Sequence, residues 1–371
     1  MLRMGIVVAS MSFGLSLLWL TDSFSQAEKG KGSETTAYSL MYSPGAGERL
    51  QDISRTTQYQ KLIDDKNYEL STSIRLPSIN GGETLDREIS EKSHKVNENE
   101  SKVERLVRSQ DANGQRSTVE VFNEDRRQKG RTEEIQRSYF RPDINGKMVV
   151  HTVENETITA VSDKERQSTR ALYRPDVEGK LSLAELEEGS EKRISDTTVI
   201  KESARKAKDL NGRMVAVGSL RETTTKLNER SFRRESSVSQ ADDNGRLSLT
   251  EKSVEIQTVN PDGTSAYQKI TQSRNINPQM RNINGPALIV SQRITGEEKK
   301  LADGAVENTL KVESLDPLNL SSGLRLSEIV TETSRPDGNG KIKVEREIKT
   351  RDVNGNYVVS QRVSQTVEQQ R

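Results

Sequence analysis

The chain has 371 residues, of which 31% are hydrophobic, 4% aromatic and 30% charged. Lys and Arg total 57 against 56 Asp and Glu, so finely mixed charge supplies no basic field for nucleic acid and no acidic field for basic partners. So little apolar material excludes a thick globular core and points to thin, repetitive structure in which neighbours bury one another.

At the start, Arg3 precedes an apolar run over residues 4–20, and small and polar residues come after it. Ser25 and Ala27 take the −3 and −1 places of a cleavage before Glu28, so residues 1–27 read as a secretory signal peptide. The run is shorter than the ~20 residues a spanning helix prefers, and no membrane span is expected after cleavage. The chain contains no cysteine, which excludes disulfides, thiolate metal sites and a Cys-anchored lipid. Export without disulfides suits a bacterial secreted or periplasmic protein. Residues 28–40 read as a flexible lead.

A repeated corner organises the remainder of the chain. Its glycine recurs at Gly81, Gly114, Gly146, Gly179, Gly212 and Gly245, in steps of 33, 32, 33, 33 and 33 residues. Two corners, "RPDINGK" and "RPDVEGK", are nearly the same phrase. Pro pre-sets φ, Asp and Asn bond nearby backbone, and Gly accepts a positive φ. Apolar residues stand at +2 and +4 from the glycine: Met148 and Val150, Leu181 and Leu183, Met214 and Ala216, Leu247 and Leu249. That alternation is the strand period. Looser polar breaks lie midway, so each unit reads as strand, corner, strand, looser corner. Residues 84–109 carry charges at helical spacings, but the frame runs through them and predicts strands there too.

The expected fold is therefore all-β: an extended antiparallel β-meander of ~33-residue hairpin repeats, an elongated single- or curled-sheet array. The array covers residues 41–272. Residues 273–334 are irregular, interrupted by Pro278, Pro286 and Pro317, and residues 335–371 form terminal hairpins. Charges on the long strands suppress edge-to-edge association and pair across neighbours.

The corner invites a metal reading. "QADDNGRLSLTE" resembles an EF-hand or dockerin loop, with Asp242, Asn244 and Glu251 at the third, fifth and twelfth places. The first place, however, is Gln240 here and Arg141 or Arg174 in sibling corners, where a calcium ligand should supply oxygen. The corners are expected to be structural, with no metal and no cofactor; Gln240–Glu251 is the one copy that offers a ligand set. The Asp…Gly corner before an apolar strand is also similar to the tyrosine-aspartate repeats of large bacterial shell toxins, but 4% aromatic residues would not line such a shell, and that family is not assigned.

No hydrolase elbow, zinc-protease helix or phosphate-binding glycine loop occurs, and His94 and His151 are the only histidines. No catalytic residue and no enzymatic activity is expected. The sequence reading is a secreted, non-enzymatic β-repeat protein acting as a structural, spacer or adhesive module of the surface or envelope. Its alternative is a periplasmic lipid- or glycan-binding or transport module, with the +2/+4 row lining an apolar groove. The partner is left open: an envelope or surface component rather than nucleic acid.

Overall fold

The computed structural model describes residues 32–42, 50–62, 67–77, 82–110, 114–209, 211–242, 244–274, 288–315, 323–336, 341–351 and 355–368. The signal peptide expected at residues 1–27 lies outside them. The described residues form strands and turns and contain no helix. In chain order the strands are β1 (Gly32–Tyr42), β2 (Leu50–Leu62), β3 (Tyr68–Pro77), β4 (Glu83–Asn97), β5 (Glu100–Gln110), β6 (Arg116–Lys129) and β7 (Thr132–Pro142). They continue as β8 (Met148–Ser162), β9 (Glu165–Pro175), β10 (Leu181–Arg193), β11 (Thr198–Lys208), β12 (Met214–Asn228), β13 (Ser231–Ala241) and β14 (Leu247–Val259). The last six are β15 (Ser265–Arg274), β16 (Leu288–Lys300), β17 (Val306–Leu315), β18 (Leu324–Pro336), β19 (Lys341–Arg351) and β20 (Tyr357–Glu368). The stretch with helical charge spacing is β4 and β5, as the repeat frame requires. β1 occupies most of the segment expected to be a flexible lead.

The all-β meander of hairpin repeats is the fold the chain adopts. Each strand pairs antiparallel with the next in sequence, and β1 pairs with β20 as well as β2. Thr36–Met41 lie in register with Gln361–Thr366, so the sheet curls until its first and last strands meet. Closure removes the two edges an open meander would expose to aggregation.

The corners work as their residues dictate. In "RPDINGK" the Asp143 carboxylate accepts the backbone amides of Asn145 and Lys147 at 2.8 and 2.9 Å. The Gly146 amide donates to the Asp143 carbonyl at 3.0 Å. Gly146 stands at φ 78°, where an L side chain is strained by roughly 1–2 kcal/mol. Asp176, Asp209 and Asp242 repeat the same carboxylate contacts.

Shortly after most of these corners the register shifts by one residue, as between Tyr139 and Phe140 on β7 opposite β8. The same shift recurs between β9 and β10, β11 and β12, and β13 and β14. An extra residue of this kind moves all later side chains of the bulged strand to the other face. On β8 the extra residue is His151.

Residues opposite each other in register share a face, so the pairings sort side chains into two sets around the whole ring. Burial is not shared equally between them. Ile74, Val107, Phe122, Ile135, Tyr267, Val312 and Val330 are buried on one face, and Val153 alone among buried apolar strand residues lies on the other. On a closed sheet, inward side chains converge and outward ones splay, so the crowded face is the inward one. Among the described residues there is no thick core. The apolar residues are dispersed between polar neighbours, in keeping with the low apolar content.

Candidate functional site: the inward charge belt

The inward face carries carboxylates and guanidinium groups in alternation. Glu91 on β4 is in register with Arg105 on β5, Glu124 on β6 with Arg137 on β7, and Arg137 with Glu154 on β8. Further round, Glu156 faces Arg170 on β9, and Arg170 faces Glu187 on β10. On β13–β15, Arg234, Glu255 and Lys269 continue the alternation.

The geometry is tightest at β6–β9. Arg137 Nε donates to Glu124 at 2.8 Å, and its Nη1 donates to Glu156 at 2.9 Å and also to Glu154. Arg170 Nη2 donates to the second Glu154 oxygen at 2.8 Å. The Glu154 side chain is only 7% exposed and that of Arg137 20%. Burial by itself would raise the Glu154 carboxyl, but hydrogen bonds from Arg170 and Arg137 outweigh it and hold the group below its ordinary range. Burial likewise disfavours the Arg137 charge, and its three carboxylate partners more than reverse that.

Aromatic residues extend the belt towards β3. Tyr68 Oη donates to Glu91 at 2.6 Å, and Arg105 Nε donates to the other Glu91 oxygen at 2.6 Å. Burial and the Glu91 contact push the Tyr68 hydroxyl well above its usual value. The Arg105 guanidinium lies 5.1 Å from the Phe122 ring centre, and Phe122 packs against Tyr139 with centroids 4.9 Å apart.

From β16 to β19 the inward wall changes character. Ile294, Val312, Val330 and Ile348 occupy it with Glu328 among them. Glu328 Oε1 is buried without a hydrogen-bond partner, and burial raises its carboxyl, with Arg346 offsetting part of the effect.

The outward face is also polar at mid-height. Glu104, Glu202, Arg221, Lys252, Arg293 and Lys311 each lie within about one residue of a strand midpoint on that face. A lipid-facing Arg or Lys there would cost about 2–4 kcal/mol each. Four such cations would together cost about as much as the 5–15 kcal/mol that stabilises a typical fold. The outward face also holds a shallow depression of about 450 Å³ lined by Gln268, Ile270, Arg293, Thr295, Lys311 and Glu313. Arg293 and Glu313 pair with each other across it at 3.1 Å.

In Gln240–Glu251 the carboxylate of Asp242 is taken up by the corner itself. Asp242 turns its carboxylate onto the amides of Asn244 and Arg246, both at 2.9 Å, and Glu251 lies on β14 opposite Val238. No cluster of three or more metal-ligating side chains occurs among the described residues. His94 sits outward opposite Lys102.

The belt was not anticipated from the sequence, although it has a signature there. Glutamate stands ten residues after Gly81, Gly114, Gly146, Gly212 and Gly245, and arginine nine residues before Gly114, Gly146 and Gly179.

No protein-family model matches the chain, and no curated protein matches it. Among solved structures it is similar to the siderophore receptor PirA from Pseudomonas aeruginosa, at 7% identity and TM-score 0.45, covering 92% of this chain and 81% of that one. OpdQ from Pseudomonas aeruginosa aligns at 6% identity and TM-score 0.46, over 91% of this chain and 95% of that one. A mutant porin of Rhodopseudomonas blastica aligns at 6% identity and TM-score 0.38, over 91% and 99%.

The expectation of a secreted structural, spacer or adhesive module is corrected here. The similar structures reported above include a siderophore receptor and a porin. The physical reason lies in this chain: β1 meets β20, so the strands form a ring rather than an open array that could be extended end to end. The alternative groove fails as well. The +2/+4 row splays outward at one rim, where Met148, Val150, Leu181 and Leu183 share a face with Phe140 and Tyr173.

Proposed function

We propose that the chain is a non-enzymatic, envelope-associated β-barrel that serves as a conduit for small hydrophilic solutes. One observation carries this: twenty antiparallel strands return to their start around an inward face lined by charged and polar groups. Rings of 16–18 strands already leave an aqueous channel, so a ring this size encloses water. The alternating carboxylates and guanidinium groups keep that interior wet. Because they cancel pairwise, they create no strong preference for anions over cations.

The absence of cysteine from the chain makes a direct test available. Ser236 and Ser237 are adjacent mid-strand on β13, with Ser236 inward opposite Ser253 and Ser237 outward opposite Lys252. Single Ser236→Cys and Ser237→Cys variants are treated with a small charged thiol reagent and with a 5-kDa polyethylene glycol maleimide. The small reagent should modify both positions, and the large one should modify position 237 alone. Equal modification of both positions by the large reagent would refute an enclosed, size-limited interior.

A further inference from the structure

The apolar +2/+4 row finds no use inside the barrel, and its placement is systematic. On β8, β10, β12, β14, β16, β18 and β20, whose N-terminal ends share one rim, the first two outward positions are apolar. Met148 and Val150, Leu181 and Leu183, and Leu247 and Leu249 are examples, and β12, β16, β18 and β20 carry matching pairs. Leu181, Leu247 and Leu249 are 40–44% exposed. The corner tips beyond them expose Ile144 and Val177 completely, at 101% and 105%.

Basic residues alternate with this collar. Lys208 and Arg274, on strands entering the corners, stand outward opposite Met214 and Leu288. Lys147, Lys180, Arg213 and Arg246 come directly after the corner glycines and are exposed, with no ion pair to a described residue. The corner aspartates beside them turn their carboxylates onto their own backbone amides. At the opposite rim the polar residues Asn97–Asn99, Asp163–Lys164 and Glu229–Arg230 are exposed beside the exposed apolar residues Val96, Val161, Ile194 and Leu227, none of which approaches the full exposure of Ile144 and Val177.

We propose that the glycine-corner rim docks into the surface of an anionic lipid leaflet while the charged body of the barrel stands in water. Apolar tips and collar would enter the headgroup–acyl boundary, and the interleaved cations would meet lipid phosphates. The depth fits. Four residues from corner glycine to the second collar position span ~13 Å along a tilted strand, or roughly 10 Å along the barrel axis. Surface-bound apolar faces bury about 5–10 Å. The outward mid-strand charges stop the barrel from sinking further. The conduit is then a vestibule seated on a membrane rather than a pore through it. This rests on the closed-barrel reading, since only a closed ring arranges these corners as a rim around an opening.

Vesicle flotation with the full chain tests the docking. Wild type should float with vesicles containing 30% phosphatidylglycerol and bind pure phosphatidylcholine at least tenfold more weakly. Ile144→Asp with Val177→Asp, at positions that contact little, should reduce flotation at least tenfold with an unchanged far-ultraviolet spectrum. Lys147→Glu with Lys180→Glu should abolish the preference for anionic lipid. An environment-sensitive fluorophore on Ile144→Cys should shift to the blue with these vesicles, and one on Asp163→Cys should not. Wild type that fails to float, tip variants that float as wild type, or equal shifts at both rims would overturn the proposal. The thiol-size test at Ser236, done without lipid, reports separately on the closed barrel.

Discussion

Replacing Arg137 with alanine removes one guanidinium from three carboxylates at once. The side chains of Glu124, Glu154 and Glu156 are 14%, 7% and 22% exposed, so none regains full hydration when its partner goes. Breaking a fully buried pair costs about 3–5 kcal/mol. Glu154 retains Arg170 at 2.8 Å and the site is partly open to water, so the expected loss is about 2–3 kcal/mol at neutral pH. The assay is urea unfolding monitored by far-ultraviolet dichroism, at pH 7 and again in acid. The folded Glu154 pKa is depressed, so its contribution is complete above the ordinary carboxylate range and disappears as pH falls through the folded value. The penalty of Arg137→Ala should therefore shrink in acid. Pairing it with Glu154→Gln should recover about 1 kcal/mol or more relative to additivity, because one stranded charge is gone. A penalty under about 0.5 kcal/mol, equal at both pH values and additive with Glu154→Gln, would mean the belt is solvated decoration.

Three further outcomes concern single positions. Glu328→Gln should stabilise the barrel by roughly 1 kcal/mol at pH 7: burial raises the folded pKa, so ionisation costs stability as pH rises, and the gain should vanish in acid where wild type is already neutral. Gly296→Val should lower the urea midpoint by an amount equivalent to about 1–3 kcal/mol, because a Cβ at that position would lie 2.5 Å from Leu310 Cδ2 and 3.3 Å from Tyr267 Cβ. Gly146→Ala meets open space but a φ of 78°, so it should cost about 1–2 kcal/mol through backbone strain alone, with no change in thiol accessibility at Ser236.

The corners and the strand–corner–strand frame were legible because they depend on local chemistry. Asp143, Gly146 and their siblings set backbone angles within four residues, and those requirements stand in the sequence. Closure was not legible: nothing in the residues of β1 or β20 announces that Thr36 meets Thr366. The belt was hidden by a parity error. Val150 and Glu156 are an even number of residues apart, and strict alternation would place both on one face. The extra residue His151 separates them, sending Val150 outward and Glu156 inward. The same shift after Gly212 and Gly245 hides Glu222 and Glu255. Abundant glutamate and arginine in a highly charged chain read most simply as solvated surface, and only the register shows which of them face each other.

Closure of the ring is the claim on which the conduit depends, and a crosslink between the first and last strands tests it most directly. Tyr38 on β1 lies in register with Ser364 on β20. In this cysteine-free chain, Tyr38→Cys with Ser364→Cys should form an intramolecular disulfide under mild oxidation in the folded state, seen as faster migration on a non-reducing gel. Tyr38→Cys with Ser237→Cys, far apart around the ring, should not. Free thiols or only intermolecular dimers from the first pair would contradict the closed barrel.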